Sequence, residues 1–281
     1  MVRANPMTES LKNIVSRTYQ GVKVLKDWPP YTEDLARAFL AGQFGLMARS
    51  NGFVNQEPAV FRLRNGYRLA VRRGSREWEA VFDIWLRHCY TPLGFELGRQ
   101  DVVIDVGAHT GLFSVFASMR AKDGRIISVE PDPENFRVLE QNIGLNGIVN
   151  ITPLNIALSD RSGEAELTLS ADTISHSLHS KLVTESGSRK IPVKTKGLNN
   201  LVEEYRIDRI DFLKMNCEGS EYEILGSCSE DVLSKIRRMS IQYHYLDHER
   251  NGETLTRFLT GHRFKVTLSA SGYHILHARR D

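Results

Sequence analysis

Cysteine is scarce, with only Cys89, Cys217 and Cys228 in 281 residues. Three thiols cannot build a full disulfide framework, and none stands in a Cys-x-x-Cys pair of the kind that binds zinc. Long apolar runs are absent as well. No stretch approaches the roughly 20 residues that cross a bilayer, and residues 1–25 lack the apolar centre of a signal peptide. Neither sign of charge prevails, since 37 Lys and Arg against 34 Asp and Glu leave +3. A dedicated nucleic-acid binder would carry a basic face or tail. The expectation is a soluble, cytoplasmic protein with no membrane partner and no built-in preference for nucleic acid. The one local excess is basic: Arg62, Arg64, Arg68, Arg72, Arg73 and Arg76. The solvated faces of a hairpin account for it plainly; contact with an acidic substrate such as a nucleotide-sugar is the sharper reading. The length allows one large domain, or one domain with an appendage.

The most informative stretch is Asp101-Val-Val-Ile-Asp-Val-Gly-Ala-His-Thr-Gly111. Val102, Val103, Ile104 and Val106 are β-branched and suit a strand buried on both faces. Gly107 and Gly111 bracket a tight turn, and Leu112 onward has helical spacing. A strand, a glycine turn and a helix start make a cradle, because glycine lets backbone come close and the first helical N–H groups are free. The glycines do not follow Gly-x-Gly-x-x-Gly, and no Gly-Lys-Ser/Thr follows, so neither a dinucleotide nor a P-loop site is indicated. Asp105 would repel a pyrophosphate and attract an ammonium.

The next strand, Ile126–Val129, ends in Glu130. An acid there is placed to accept both hydroxyls of a ribose. An acid after each of two successive strands points to an amino-acid-bearing nucleoside, and S-adenosylmethionine is such a molecule.

Five motifs then carry a family resemblance: Ile104–Gly111, Val129–Phe136, Asn142–Gly147, Ala157–Asp160 and Phe212–Tyr222. Together they resemble the FkbM family of S-adenosylmethionine-dependent methyltransferases over roughly residues 58–245. The resemblance implies a Rossmann-like, seven-stranded class I methyltransferase sheet, mainly parallel with one antiparallel strand and with helices on both faces. One departure stands out. The family's Asp-x-Glu-Gly is here Asn216-Cys217-Glu218-Gly219.

In chain order, residues 1–57 read as a helical appendage, either a lid or a contact in a homodimer. Residues 58–281 read as the methyltransferase domain. It opens with a hairpin over 59–73 around Asn65-Gly66, the strongest short hairpin signal, and a helix over 76–90. Strands and helices then alternate: strands at 102–106, 126–130, 150–156, 210–215 and 239–245, helices at 111–121, 133–145, 197–205 and within 220–236. Ala157–Asp160 reads as a loop, and Glu164–Leu169 and Ile191–Thr195 as strands. Residues 170–190 read as a lid or loose connection whose His176 and His179 are candidates for touching substrate. Asn251 caps a helix that Gly261 stops. Strands at 264–268 and 273–278 close the chain as an antiparallel pair.

Ligands of open α/β sheets sit beyond the carboxyl ends of the strands. Asp105, Gly107, His109, Glu130, Asn155, Asn216 and His244 all fall there. Glu130 and Pro131 are assigned to the ribose side. Gly107, Ala108, His109, Thr110 and Gly111 are assigned to the methionine part, with Asp105 on its ammonium directly or through water. The resemblance implies adenine contacts at Ala157 and Leu158. Asn216 and Glu218 line the methionine or acceptor side, or Glu218 caps the following helix. Methyl transfer from a sulfonium needs alignment but no metal, and none is expected. A hydroxyl acceptor also needs a base. His244, with an ordinary imidazole pKa, is the candidate. The expected activity is O-methylation of a sugar or polyketide-type small molecule. Two other readings stand beside it. Asn142–Gly147 is also similar to a segment of some tRNA-modifying enzymes, and Asn216 allows a cofactor-binding scaffold without catalysis.

Overall fold

A computed structural model describes residues 58–63, 65–72, 75–169, 177–178, 189–269 and 274–280. The expected appendage at 1–57, Arg64, Arg73, and the loop histidines His176 and His179 lie outside the described residues.

The hairpin forms as read: β1 (Pro58–Arg62) pairs antiparallel with β2 (Arg68–Arg72). Helix α1 (Glu77–Trp85) follows and buries Trp78, Val81, Ile84 and Trp85. Next come β3 (Val102–Val106), α2 (Leu112–Arg120), β4 (Arg125–Val129), α3 (Pro133–Leu145) and β5 (Ile151–Leu154). Asp132 caps α3 by accepting from the Glu134 and Asn135 N–H groups, and Pro133 supplies a preset φ at the first turn. Strands β6 (Ala157–Ser159), β7 (Gly163–Leu169) and β8 (Arg189–Gly197) form a separate small sheet in the order β6-β8-β7. Then come α4 (Leu198–Glu204), β9 (Phe212–Met215), α5 (Glu221–Gly226), α6 (Glu230–Lys235) and β10 (Arg238–Gln242). Helix α7 (Gly252–Gly261) has a full capping box between Asn251 and Thr254. The chain ends in β11 (Lys265–Leu268) and β12 (Ile275–Arg279).

The main sheet has seven strands in the order β11-β12-β10-β9-β3-β4-β5. All run parallel except β12, which lies antiparallel between β10 and β11. This is the Rossmann-like class I methyltransferase sheet. Strand alternation splits the core between its faces. Val103, Ile126 and Phe212 pack with the hairpin, α1 and α2. Ile104, Ile127, Leu213 and Met239 pack with α4–α7. Among the described residues no helix is long and apolar enough to cross a membrane.

Candidate active site

The turn after β3 is shaped by two close approaches. Gly107 has φ +69°, and a Cβ there would lie 1.8 Å from the Asn216 carbonyl oxygen. The exits of β3 and β9 can therefore touch only through glycine. Gly111, at φ +78°, caps α2, and a Cβ there would meet Leu139 at 2.3 Å. Between them the Gly107 and Ala108 N–H groups donate to the Val129 carbonyl at 3.0 and 2.9 Å. His109 takes φ +53°, and its N–H donates to Glu130 at 2.7 Å.

Glu130 closes β4 and is buried, 4 % exposed. Its carboxylate also accepts from the Asp132 N–H at 3.0 Å and the Asn135 amide at 3.4 Å. Burial raises its pKa to about 7, although those hydrogen bonds pull the other way.

Of the sequence-assigned cofactor residues, Gly107, Ala108, His109, Glu130, Pro131, Ala157, Leu158 and Asn216 line one cavity. Asp105, Thr110, Gly111 and Asn155 do not. Asp105 is fully buried beneath the cavity, 2.9 Å from the Lys214 ammonium and accepting from Ser114 at 2.6 Å. The direct ammonium contact assigned to it is therefore corrected: a lysine already fills that place. Thr110 is buried, and its carbonyl accepts from Asn142. The Asn155 amide braces the turn instead, donating to the Glu130 and Pro131 carbonyls at 2.9 and 3.1 Å.

Asp105 belongs to a buried polar row. In register across five strands lie Ser128, Asp105, Lys214, Ser240 and His277. Lys214 also donates to the Gly107 carbonyl at 2.7 Å. Ser240 donates to the Tyr90 carbonyl at 2.6 Å and lies 2.8 Å from His277 Nδ1. Burial lowers the His277 pKa to about 4, so this imidazole is neutral. The row supports the Gly107 turn from below.

A second cavity of about 250 Å³ adjoins the first and shares Ala80, Ile84, Tyr90, Asn216 and Glu218 with it. It adds Arg76, Glu79, Asp83 and His244. Glu218 adopts φ +50°, and Gly219 follows at φ +104°. The sharp bend turns the Glu218 carboxylate to His244 Nε2 at 3.1 Å, so it does not cap α5. His244 Nδ1 stands 3.0 Å from the fully buried Glu221. Burial alone would lower the His244 pKa, but Glu218 and Glu221 outweigh it and raise the value to about 10. The reading of His244 as a base with an ordinary pKa is thus corrected. Between two carboxylates it is an imidazolium at neutral pH and has no free lone pair to take a proton.

Lys214, Tyr90, Ser177, Leu178 and Glu221 were missed in the sequence. Leu178 lines the first cavity. Ser177 is buried and donates to the Glu218 carbonyl at 2.5 Å. The signals present were the lysine inside the apolar run Phe212–Met215, the place of Glu221 in the motif Phe212–Tyr222, and the place of Ser177 and Leu178 in the irregular segment 170–190; Tyr90 had none.

The residues fit an amino-acid-bearing nucleoside. The cradle at Gly107 admits no Cβ, Glu130 stands at the end of β4, and Asn216 Oδ1 is buried with no hydrogen-bond partner among the described residues. A family model described as the methyltransferase FkbM domain matches residues 105–271. The chain is 27% identical over 188 residues to methyltransferase sdnD of Sordaria araneosa, covering 57% of this chain and 72% of that protein. It is 26% identical over 237 residues to the 31-O-demethyl-FK506 methyltransferase FkbM of Streptomyces tacrolimicus, covering 74% and 89%. Among solved structures, M. jannaschii TYW2 in complex with AdoMet aligns at 14% identity and TM-score 0.42, over 80% of this chain and 85% of that one. The chain belongs to the FkbM family of S-adenosylmethionine-dependent methyltransferases.

Proposed function

We propose that the protein methylates a hydroxyl group on a small molecule of sugar or polyketide type, with Glu218 taking the hydroxyl proton. The carrying observation is that Glu218 and Asn216 line both cavities. The first cavity is suited to the cofactor and the second to the acceptor. The name of the Streptomyces tacrolimicus relative, a 31-O-demethyl-FK506 methyltransferase, supports a hydroxyl acceptor.

S-adenosylmethionine, when bound, supplies a methyl group on a sulfonium. Glu130 would hold the ribose hydroxyls, and Ala157, Leu158 and Leu178 the base. The turn at Gly107–His109 and Asn216, which line the first cavity, would hold the methionine part. The acceptor oxygen becomes strongly acidic as it gains carbon, and a carboxylate suffices for its proton. Of Glu218, His244 and Glu221, Glu218 is the carboxylate that lines the second cavity, where the acceptor proton leaves. His244 is a positioning residue: it donates to Glu218 through Nε2 and is held by Glu221 through Nδ1. The buried Tyr90 hydroxyl donates to Gln242 at 2.8 Å and fixes the wall common to both cavities.

Glu218→Gln is expected to lower turnover by about 10²–10⁴-fold while leaving S-adenosylhomocysteine binding by calorimetry intact. Mass spectrometry and NMR of the product locate the methyl. A methyl on nitrogen or carbon, or undiminished turnover in Glu218→Gln, overturns the reading.

A further inference from the structure

Far from these cavities, at the end of β10 opposite Gln242, the structure has a third one of about 390 Å³. Its walls are Glu230, Ser234, Gly261, His262, Arg263 and Arg280. Nothing in the methyl-transfer chemistry uses it. Every lining residue but Gly261 carries a polar or charged side chain, and two of them are arginines.

Among the described residues neither Arg263 nor Arg280 forms an ion pair with a carboxylate, and the one carboxylate acting on Arg280 is Glu230 on the same cavity. Arg280 is the more telling. Its Nε is buried with no hydrogen-bond partner among the described residues, and its guanidinium carbon lies over the Phe264 ring, 4.2 Å from the centroid. Its own N–H is tied to the Arg237 carbonyl at 2.8 Å, so its backbone is fixed to the start of β10. Two guanidiniums on one cavity, with no ion pair to a carboxylate among the described residues, leave a positive charge that an anion would balance. Arg263 adds a second anomaly. It sits at φ +67°, a conformation that favours glycine, while its N–H closes α7 on the Thr260 carbonyl at 3.0 Å. Arg263 is exposed and lines the cavity. His262 completes the set. Its Nδ1 lies 2.8 Å from the Phe258 carbonyl, and its Nε2 lies 3.2 Å from Glu230. The Glu230 side chain is 84% exposed and free to swing away.

We propose that this cavity binds a phosphate group, either free phosphate or a phosphate monoester on a small metabolite. Arg263 and Arg280 clasp it, with the His262 ring on the same cavity. Glu230 holds the place of the anion beside His262 and leaves when phosphate enters. Planar guanidiniums with fixed donors match phosphate oxygens better than they match chloride.

The test is calorimetry at fixed ionic strength with inorganic phosphate and with glycerol 2-phosphate, on the full chain. Wild type is expected to bind at least one of them saturably, with Kd below about 1 mM. Arg280→Met keeps a long apolar side chain beside Phe264 without the charge, and Arg263→Gly suits the backbone. Each is expected to weaken binding at least about tenfold, whereas Glu230→Gln strengthens it. Equal affinity for both probes identifies free phosphate; preference for the ester identifies a phosphorylated metabolite. Should Arg280→Met fail to fold, Arg263→Gly decides alone. Absence of saturable binding to wild type, or binding that Arg263→Gly leaves unchanged, overturns the proposal.

Discussion

Gly107 and Asn216 meet so closely that a Cβ on the glycine would stand 1.8 Å from the asparagine carbonyl oxygen. This contact joins the exit of β3 to the exit of β9 and places Asn216 where both cavities meet. Gly107→Ala must move one of the two backbones and also take φ +69° with a side chain. A left-handed residue and an overpacked contact together cost about 3 kcal/mol or more. Urea unfolding is expected to show that loss, and S-adenosylhomocysteine binding is expected to disappear with it. Wild-type stability in this variant would mean that the contact is not fixed.

The motif turn was legible because its constraints are local: two glycines and a β-branched strand. The hairpin at Asn65-Gly66 and the capped starts of α3 and α7 were legible for the same reason. What was illegible depends on contacts distant in sequence. Ala157–Ser159 reads as a loop but forms β6, because its partner is β8 in another sheet. The helix after residue 76 stops at Trp85, and His88 turns the chain at φ +51° with no glycine to announce it. The strand expected to reach Tyr245 stops at Gln242, after which His244 is held between Glu218 and Glu221. Alternation along β3 also hides which face each residue takes, so Asp105 reads as a ligand contact although it points into a buried layer.

That layer makes its own prediction. Lys214 and Asp105 are an ion pair with side chains 5% and 0% exposed. Removing one partner of such a pair strands the other charge and costs about 3–5 kcal/mol. Lys214→Met is expected to lose that much by urea unfolding. Pairing it with Asp105→Asn is expected to recover part of the loss, since no charge then remains stranded. Additive losses in the double variant would show that the two residues do not act as a pair.

Glu130 links pH to cofactor binding. Its folded pKa of about 7 lies above the ordinary carboxyl value of 4.5. The native state therefore keeps a proton that the unfolded chain has lost. Stability from this group is full below about 4.5, falls as pH rises, and levels off above about 7, a total of about 3 kcal/mol. Glu130→Gln is expected to flatten that slope in urea unfolding from pH 5 to 7. Hydroxyl donors prefer the ionised carboxylate, so S-adenosylhomocysteine binding to wild type is expected to tighten as pH rises through about 7. Affinity independent of pH over that range would remove Glu130 from the ribose site.

His244 has the same linkage sign from a different cause. Its folded pKa of about 10 exceeds the ordinary 6.5, against the effect of burial, because Glu218 and Glu221 bind the imidazolium. Its contribution to stability is fully present below about 6.5 and is lost as pH rises through about 10. A histidine base would instead need to be neutral, and turnover would rise through pH 6–7. The expected profile has no rise there that belongs to His244, and a fall toward pH 10 as Glu218 loses its partner. NMR of the ring is expected to report an imidazolium at pH 8, and His244→Asn is expected to shift the alkaline fall while retaining part of the turnover. A neutral ring at pH 8 would return the base role to His244 and leave Glu218 to orient it.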